Sequence, residues 1–184
     1  MELAVAKRSP KKNETNRLRR EKKIPAVLYS KGAKGEEVTV DGNEFQKILN
    51  SVEKGTLSSK VFSLDLEGKK APAIVKDIQY HVTTYEILHL DFQQLHDDIP
   101  VNLNIPIQLK NALTCAGVKL GGILRQVIRQ VKVRCLPKDI PSHFEFDVAN
   151  LKMGQILRLK DLKLPSTVQP TISLEEVAVV VTRR

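Results

Sequence analysis

The chain has 184 residues, of which 41% are hydrophobic and 28% charged, a composition typical of a globular protein and not of a disordered one. No apolar run approaches the roughly 20 residues that span a bilayer. The two cysteines do not form a metal-site pattern, so we expect free thiols, with a single disulfide as the alternative. We therefore expect a cytoplasmic protein. The net charge is +9, and the first 34 residues alone carry 11 cations and three anions, or +8. This asymmetry indicates a polyanion bound by one end of the molecule.

Alternation of apolar and polar residues predicts β-strands through the first half of the chain. The predicted strands cover 25–29, 37–41, 62–67, 73–80 and 87–93, the first of them beginning at its proline.

One helix interrupts these strands. Phe45, Ile48, Leu49 and Val52 have the i, i+3, i+4, i+7 spacing of a single apolar stripe. Asp41 and Glu44 resemble a capping box before this helix, and Gly55 is a candidate for its end. A second, shorter helix is predicted over 15–23, where Leu18 is the only large apolar side chain.

A polar stretch at 93–98 predicts a boundary between two domains, 1–93 and 94–184. Further alternation at 101–109, 131–136 and 144–147, and a β-branched run at 176–182, predict a second all-β domain. Pro106 has no backbone N–H, so its strand is expected to be an edge strand or to contain a bulge.

The sequence contains no signature of an enzyme. It has no glycine-rich phosphate loop, no nucleophile elbow and no HExxH motif, so we expect no catalytic residues, no cofactor and no small-molecule substrate. The four histidines lack the spacing of a metal site. His96-Asp97-Asp98 could hold a divalent ion only weakly, and a solvated linker is the favoured alternative.

The basic segment precedes the strand IPAVLY, which places its cations at the rim of a folded domain. A solvated charged helix is the alternative, and the lack of an apolar face disfavours a membrane surface. Aromatic residues are 4% with no tryptophan, and helix-turn-helix and zinc-finger signatures are absent. The sequence therefore favours structured RNA, recognised through its grooves, phosphates and 2′-hydroxyls.

His89 and Asp91 alternate with Leu88, Leu90 and Phe92, so they are predicted to share the outer face of a strand about 7 Å apart. A histidine can donate to phosphate or ribose, and an aspartate near RNA can accept from a base amino group or a 2′-hydroxyl. An ordinary polar surface is the alternative.

The segment RLRREKKIPAVLY at 17–29, with DIQ at 77–79 and HLDF at 89–92, resembles the bacterial large-subunit ribosomal proteins numbered twenty-five, which bind 5S rRNA. The segments GVKLGGILRQVIRQVKVRCLP at 117–137 and DVANLKMGQ at 147–155 resemble the extension of the long form, called general stress protein CTC. The resemblance implies a mainly β protein, with an amino-terminal six-stranded β-barrel carrying one or two helices and a second all-β domain. It also implies docking on the minor groove of an internal loop of 5S rRNA.

The resemblance further implies which residues contact RNA. Arg19, Tyr29, Gln79, His89 and Asp91 match the family's contact positions, and a family arginine near the start of the chain corresponds to Lys7 or Arg8. Ser30 stands where the family usually has glycine, and Lys11-Lys12 where it usually has Gly-Lys. The candidate RNA-binding residues are Lys7, Arg8, Arg17, Arg19, Arg20, Lys22, Tyr29, Gln79, His89 and Asp91.

The expected function is that of a non-enzymatic structural constituent of the large ribosomal subunit, monomeric there and bound to 5S rRNA. Neighbouring large-subunit rRNA and ribosomal proteins are further expected partners. The second domain carries five basic candidates for such contacts, with a solvated face as the alternative: Arg125, Arg129, Lys132, Arg134 and Lys138. The alternative function is a stress-induced protein-binding module whose basic end is incidental.

Overall fold

The structure is a computed structural model that describes residues 1–8, 12–30, 35–53, 55–66 and 68–183. It divides into two compact units, Met1–Ile99 and Pro100–Arg184. Within the described residues, no helix has the length and apolar character needed to cross a membrane. Lys11, Lys31 and Lys34 of the basic segment lie outside the described residues.

The first unit, called the barrel unit below, is a closed six-stranded β-barrel, as expected. Its strand order is β1-β3-β2-β6-β5-β4, and a parallel pairing of β4 with β1 closes it. The elements are β1 (Glu2–Lys7), α1 (Lys12–Arg20), β2 (Lys23–Tyr29), β3 (Glu36–Asp41), α2 (Gly42–Ser51), β4 (Val61–Leu66), β5 (Lys69–Tyr80) and β6 (Ile87–Gln94).

Alternate residues of the strands fill the barrel, and α2 contributes Phe45, which is fully buried. Phe62 and Phe92 pack edge to face inside it, with ring centroids 6.4 Å apart. The Oδ1 of Asp41 accepts the backbone N–H groups of Asn43 and Glu44 at 2.8 and 3.1 Å, which confirms Asp41 as the N-cap of α2.

Several predicted boundaries differ from the structure. The strand β1 has no counterpart among the predictions. The strand β2 begins at Lys23 and not at Pro25, because its ladder with β3 starts at the pair Lys23↔Asp41. The helix α1 begins before the predicted residue 15 and ends at Arg20, and α2 ends at Ser51, before Gly55.

The second unit consists mainly of two β-sheets. One has the order β10-β7-β9-β12 and the other β11-β13-β8. Its elements are β7 (Val101–Lys110), α3 (Ala116–Lys119), β8 (Ile123–Gln126), β9 (Gln130–Cys135), β10 (Phe144–Asp147), β11 (Ile156–Arg158), β12 (Gln169–Pro170) and β13 (Val177–Thr182). Cys115 and Cys135 are buried free thiols, as expected.

The prediction for Pro106 is confirmed in part. The strand β7 as a whole lies between β10 and β9 and its ladders contain no register shift, but its ladder with β10 covers only Ile107–Lys110, so the stretch that contains Pro106 is an edge on that side. Pro106 is the last residue paired with β9, opposite Gln130, and pairing with β10 begins at Ile107. The proline therefore lies at the end of this edge stretch, where a missing N–H is tolerated.

Candidate nucleic-acid interface

Three adjacent strands of the barrel, β2, β6 and β5, carry polar side chains on one outer face. Leu90 and Phe92 are fully buried, so His89 and Asp91 between them point outward. The ladder places Gln79 opposite His89. Tyr29 also points outward, because Leu28 belongs to the barrel core. This outer face, with Tyr29, Asp77, Gln79, His89 and Asp91, is called the polar face below.

A bulge in β5 turns two of these side chains outward. Val75 pairs with Phe92, but the next pair is Asp77 with Asp91, so Lys76 is an extra residue in β5. Strict alternation from the buried Val75 would turn Asp77 inward, whereas the extra residue turns both Asp77 and Gln79 outward. Asp77 is a member of the polar face that the sequence did not identify as a site residue. Alternation from Val75 would turn Gln79 inward as well, and only the family resemblance identifies Gln79.

A second irregularity, in β6, positions Arg19. Gln79 pairs with His89 and Tyr80 with Ile87, which leaves Leu88 as an extra residue. The Leu88 carbonyl accepts hydrogen bonds from Nε and Nη2 of Arg19, at 3.4 and 3.2 Å. The guanidinium at the end of α1 is thus held next to the polar face, one residue from His89.

His89 and Asp91 form a partly buried pair, with Nδ1 of the histidine 2.8 Å from Oδ1 of the aspartate. An ionised carboxylate can only accept, so Nδ1 carries the proton. Nε2 of His89 can then accept from a ribose hydroxyl or, when the ring is protonated, donate to a phosphate. The second oxygen of Asp91 can accept from an amino or hydroxyl group.

Tyr29 is half-buried beside this pair. Burial raises the pKa of its phenol, and the carboxylates of Asp91 and Asp77 raise it further. Tyr29 therefore keeps its O–H group, a hydrogen-bond donor, at neutral pH. The centre of the polar face holds carboxylates and a phenol, while the cations lie at its border.

The bordering cations are exposed. Lys22 and Lys23 join Arg19 around a cavity of about 250 Å³ that Gly42 and Glu86 also line. Lys22 has a φ of 59°, and its carbonyl accepts the N–H of Gly42 at 3.0 Å, so this turn is fixed against the start of α2.

Glu21 makes weak exposed contacts with two neighbouring cations. Its carboxylate lies 3.5 Å from Nε of Arg17 and 3.7 Å from Nζ of Lys23. Exposed ion pairs of this kind contribute little stabilising free energy in water, so these cations remain able to pair with phosphates. Arg20, at the end of α1, is also exposed.

The two candidates near the start of the chain lie at the end of β1, beside β3. Glu37 of β3 pairs with Val27 of β2, and Val27 pairs with Asp91 of β6, so Arg8, which contacts Glu37, lies two strands from the centre of the polar face. The Nη1 of Arg8 lies 2.8 Å from Oε2 of Glu37, its Nε donates to the Val38 carbonyl at 3.2 Å, and its side chain is only 10% exposed. Lys7 is exposed. RNA contact by Lys7 or Arg8 remains a prediction.

Ser30, the departure from the family pattern, lies directly after Tyr29. Its Oγ forms a hydrogen bond with Nε2 of His96, at 2.5 Å, which ties the end of β2 to the segment after β6. Among the described residues, no three histidine, cysteine or acidic side chains are grouped so as to hold a metal ion.

Comparison with known proteins assigns both parts of the chain to known families. Residues 3–92 match the Ribosomal L25p family, and residues 100–184 match the C-terminal domain of ribosomal protein TL5. The "Large ribosomal subunit protein bL25" of Chlamydia muridarum (strain MoPn / Nigg) is 50% identical over 185 residues, covering all of both chains. The proteins of the same name from Chlamydia pneumoniae and Chlamydia abortus (strain DSM 27085 / S26/3) are 50% and 49% identical with the same coverage. The chain therefore belongs to the ribosomal L25p family, in the form that carries a TL5-type carboxyl-terminal domain.

Proposed function

We propose that this protein is a non-enzymatic structural constituent of the large ribosomal subunit and that its polar face binds 5S rRNA. The observation that carries the proposal is the convergence of Tyr29, Gln79, His89 and Asp91 on one outer face, with Arg19 held at its border. Family membership supports the ribosomal location.

Affinity and specificity come from different parts of this surface. The exposed cations at the border neutralise phosphates, which gives affinity without regard to sequence. The centre of the polar face is rich in acceptors, and its carboxylates repel a phosphate placed directly on them. An RNA that offers 2′-hydroxyls or base amino groups at the centre and phosphates at the border therefore fits, as a distorted groove of structured RNA does.

Co-purification tests this proposal. The tagged protein is recovered from bacterial lysate at moderate salt, and the retained RNA is identified by its length and sequence. We expect 5S rRNA in stoichiometric amount. Retention of RNAs from outside the large ribosomal subunit in equal proportion, or of no RNA, would contradict the proposal.

A sucrose gradient separates the proposal from a stress-induced protein-binding module. A ribosomal constituent comigrates stoichiometrically with large subunits in unstressed cells. A protein-binding module remains in the free pool at the top of the gradient.

We also propose that one face of the second unit contacts neighbouring large-subunit rRNA. Lys132 and Arg134 point outward from β9, because Val131 and Val133 are buried. They lie opposite Asn104 and Asn102 of β7, and neither strand contains an acidic residue. A face with cations and amides but no anions on these two strands suits a phosphate backbone.

A further inference from the structure

The tip of the hairpin between β5 and β6, residues 81–86, exposes two large apolar side chains. Val82 is 88% exposed and Tyr85 is 78% exposed. Neither packs in the barrel core. A tyrosine ring held in water at the end of a hairpin contributes little to folding.

The tip is well ordered by its own hydrogen bonds. The backbone N–H of His81 donates to the Glu86 carbonyl at 2.8 Å, and that of Tyr85 donates to the His81 carbonyl at 3.0 Å. The ring Nδ1 of His81 accepts the N–H of Thr84 at 3.3 Å. Three hydrogen bonds within six residues fix the direction in which Tyr85 leaves the tip.

Tyr85 has a φ of 55°, in the left-handed region that favours glycine. The fold would accept glycine at this position with less backbone strain. The chain nevertheless places a large aromatic ring there, and the ring is almost fully exposed.

The tip adjoins the polar face. The strands that carry Gln79 and His89 run directly into it, and Tyr80↔Ile87 is the last pair of their ladder. Tyr85 is therefore no more than about 13 Å along the chain from His89. On the other side, Glu86 lines the same cavity as Arg19, Lys22 and Lys23.

We propose that Tyr85 stacks on a base of the RNA that the polar face binds. The adjacent cations favour a polyanion over a protein at this end of the barrel. The tip itself, from His81 to Tyr85, carries no lysine or arginine, so it suits a base and not a phosphate. Aromatic rings stack on any base, and apolar side chains beside them contact the sugar or the base edge. This inference rests on the proposed function and adds base stacking to the contacts proposed there.

The chain contains no tryptophan, so Tyr85→Trp introduces a single fluorophore at the tip. We expect its emission to be quenched on titration with purified 5S rRNA, at the same RNA concentration that saturates binding by filter retention. Leu113→Trp is the matched control, because Leu113 is 92% exposed in the second unit. Its emission should stay unchanged with isolated 5S rRNA.

Removal of the ring provides the second measurement. Tyr85→Gly should weaken binding to 5S rRNA roughly 5- to 150-fold, the range that corresponds to loss of one stacked base. Its thermal unfolding midpoint should be no lower than that of the wild type, because glycine adopts this φ readily. Tyr85→Phe, which keeps the ring, should bind as the wild type does.

The outcomes separate this inference from the proposed function. If the wild type binds 5S rRNA and Tyr85→Gly binds equally well, the stacking contact is wrong and the proposed function stands. If the fluorophore of the Tyr85→Trp variant is silent with isolated 5S rRNA but responds in assembled large subunits, the tip contacts another component of the subunit and the inference is overturned. If the wild type does not bind 5S rRNA, both fail.

Discussion

At the scale of single residues, the hydrogen-bonded pair His89 and Asp91 is the centre of the polar face. Asp91→Asn keeps the shape of the side chain but removes its charge, and His89→Ala removes the ring. We expect each to weaken binding to 5S rRNA by about 1–3 kcal/mol, because groups that read base and ribose edges make contributions of this size. Weak binding to an arbitrary RNA duplex should not change, as measured by competition filter binding.

Lys22→Ala is the matched control for this pair. Lys22 is exposed at the border and is expected to contact phosphate, so its loss should weaken binding to both RNAs modestly and equally. Equal losses on both RNAs for Asp91→Asn would show that Asp91 does not discriminate between them.

The raised pKa of Tyr29 leads us to predict that the free energy of unfolding decreases at alkaline pH. Its pKa is raised by burial and by two carboxylates, whereas in the unfolded chain it returns to its usual value of about 10. Between these two values the unfolded state releases the proton and the folded state retains it, so stability falls as pH rises above about 10. Below the unfolded value this group contributes no pH dependence.

Urea unfolding at pH 9 and at pH 11 measures this effect without RNA. Tyr29→Phe should lose less stability than the wild type between the two conditions. An identical loss in both proteins would contradict the assignment.

At the scale of elements, the start of α2 is built around Gly42. A Cβ at this position would lie 2.4 Å from the Lys22 carbonyl oxygen, which is the acceptor of the Gly42 N–H. Gly42→Ala must therefore displace either the turn at Lys22 or the helix. We expect a loss of about 1–3 kcal/mol in urea unfolding, and weaker RNA binding because the turn that carries Lys22 and Lys23 moves.

The exposed neighbour Asn43 supplies the control for Gly42. Asn43→Ala lies in the first turn of the same helix and should change stability by no more than about 0.5 kcal/mol. Similar effects of the two substitutions would contradict a steric role for Gly42.

The outer face of β9 gives a second prediction at this scale. The double variant Lys132→Ala/Arg134→Ala should dissociate from large subunits at lower salt than the wild type, because two phosphate contacts are lost. Binding to isolated 5S rRNA should be unaffected. Lys119→Ala, at an exposed lysine of α3, is the control and should dissociate as the wild type does.

Local sequence signals predicted some elements correctly and missed others. The apolar stripe and N-cap of α2 are local signals, and both are confirmed. In β1 the buried Leu3 and Val5 alternate with Ala4 and Ala6, which are also apolar, so the sequence shows no clear alternation of apolar and polar residues. The missing N–H of Pro106 indicates an edge, which the structure shows at that position, but a single strand does not show that its second partner begins one residue later.

At the scale of the whole molecule, the positive charge and the hydrogen-bond acceptors of the polar face come from different parts of the chain. The first 34 residues carry +8, but Arg8 is already paired with Glu37 inside the fold. Other cations border the polar face and are available to bind phosphates. Among the described residues these are chiefly Arg19, Lys22 and Lys23. The acceptors that we propose distinguish one RNA from another lie on β5 and β6.

Because the bordering cations are expected to neutralise phosphates, we predict that the affinity for 5S rRNA falls steeply as salt concentration rises. If roughly four to eight phosphates are neutralised, the logarithm of the association constant should fall with the logarithm of salt concentration with a slope of about −3 to −7. Titration with 5S rRNA at several potassium chloride concentrations measures the slope. A nearly flat dependence would contradict a phosphate-driven complex.

The sequence by itself determined the β-rich class, the two-part organisation of its predicted strands, the basic segment and the motif residues, because alternation, composition and motifs are local properties. Only the tertiary structure showed that an extra residue at Lys76 turns Asp77 and Gln79 outward, that Leu88 holds Arg19, and that Glu37 engages Arg8. These features depend on the register between strands that are distant in sequence, and register is set by packing across the whole barrel.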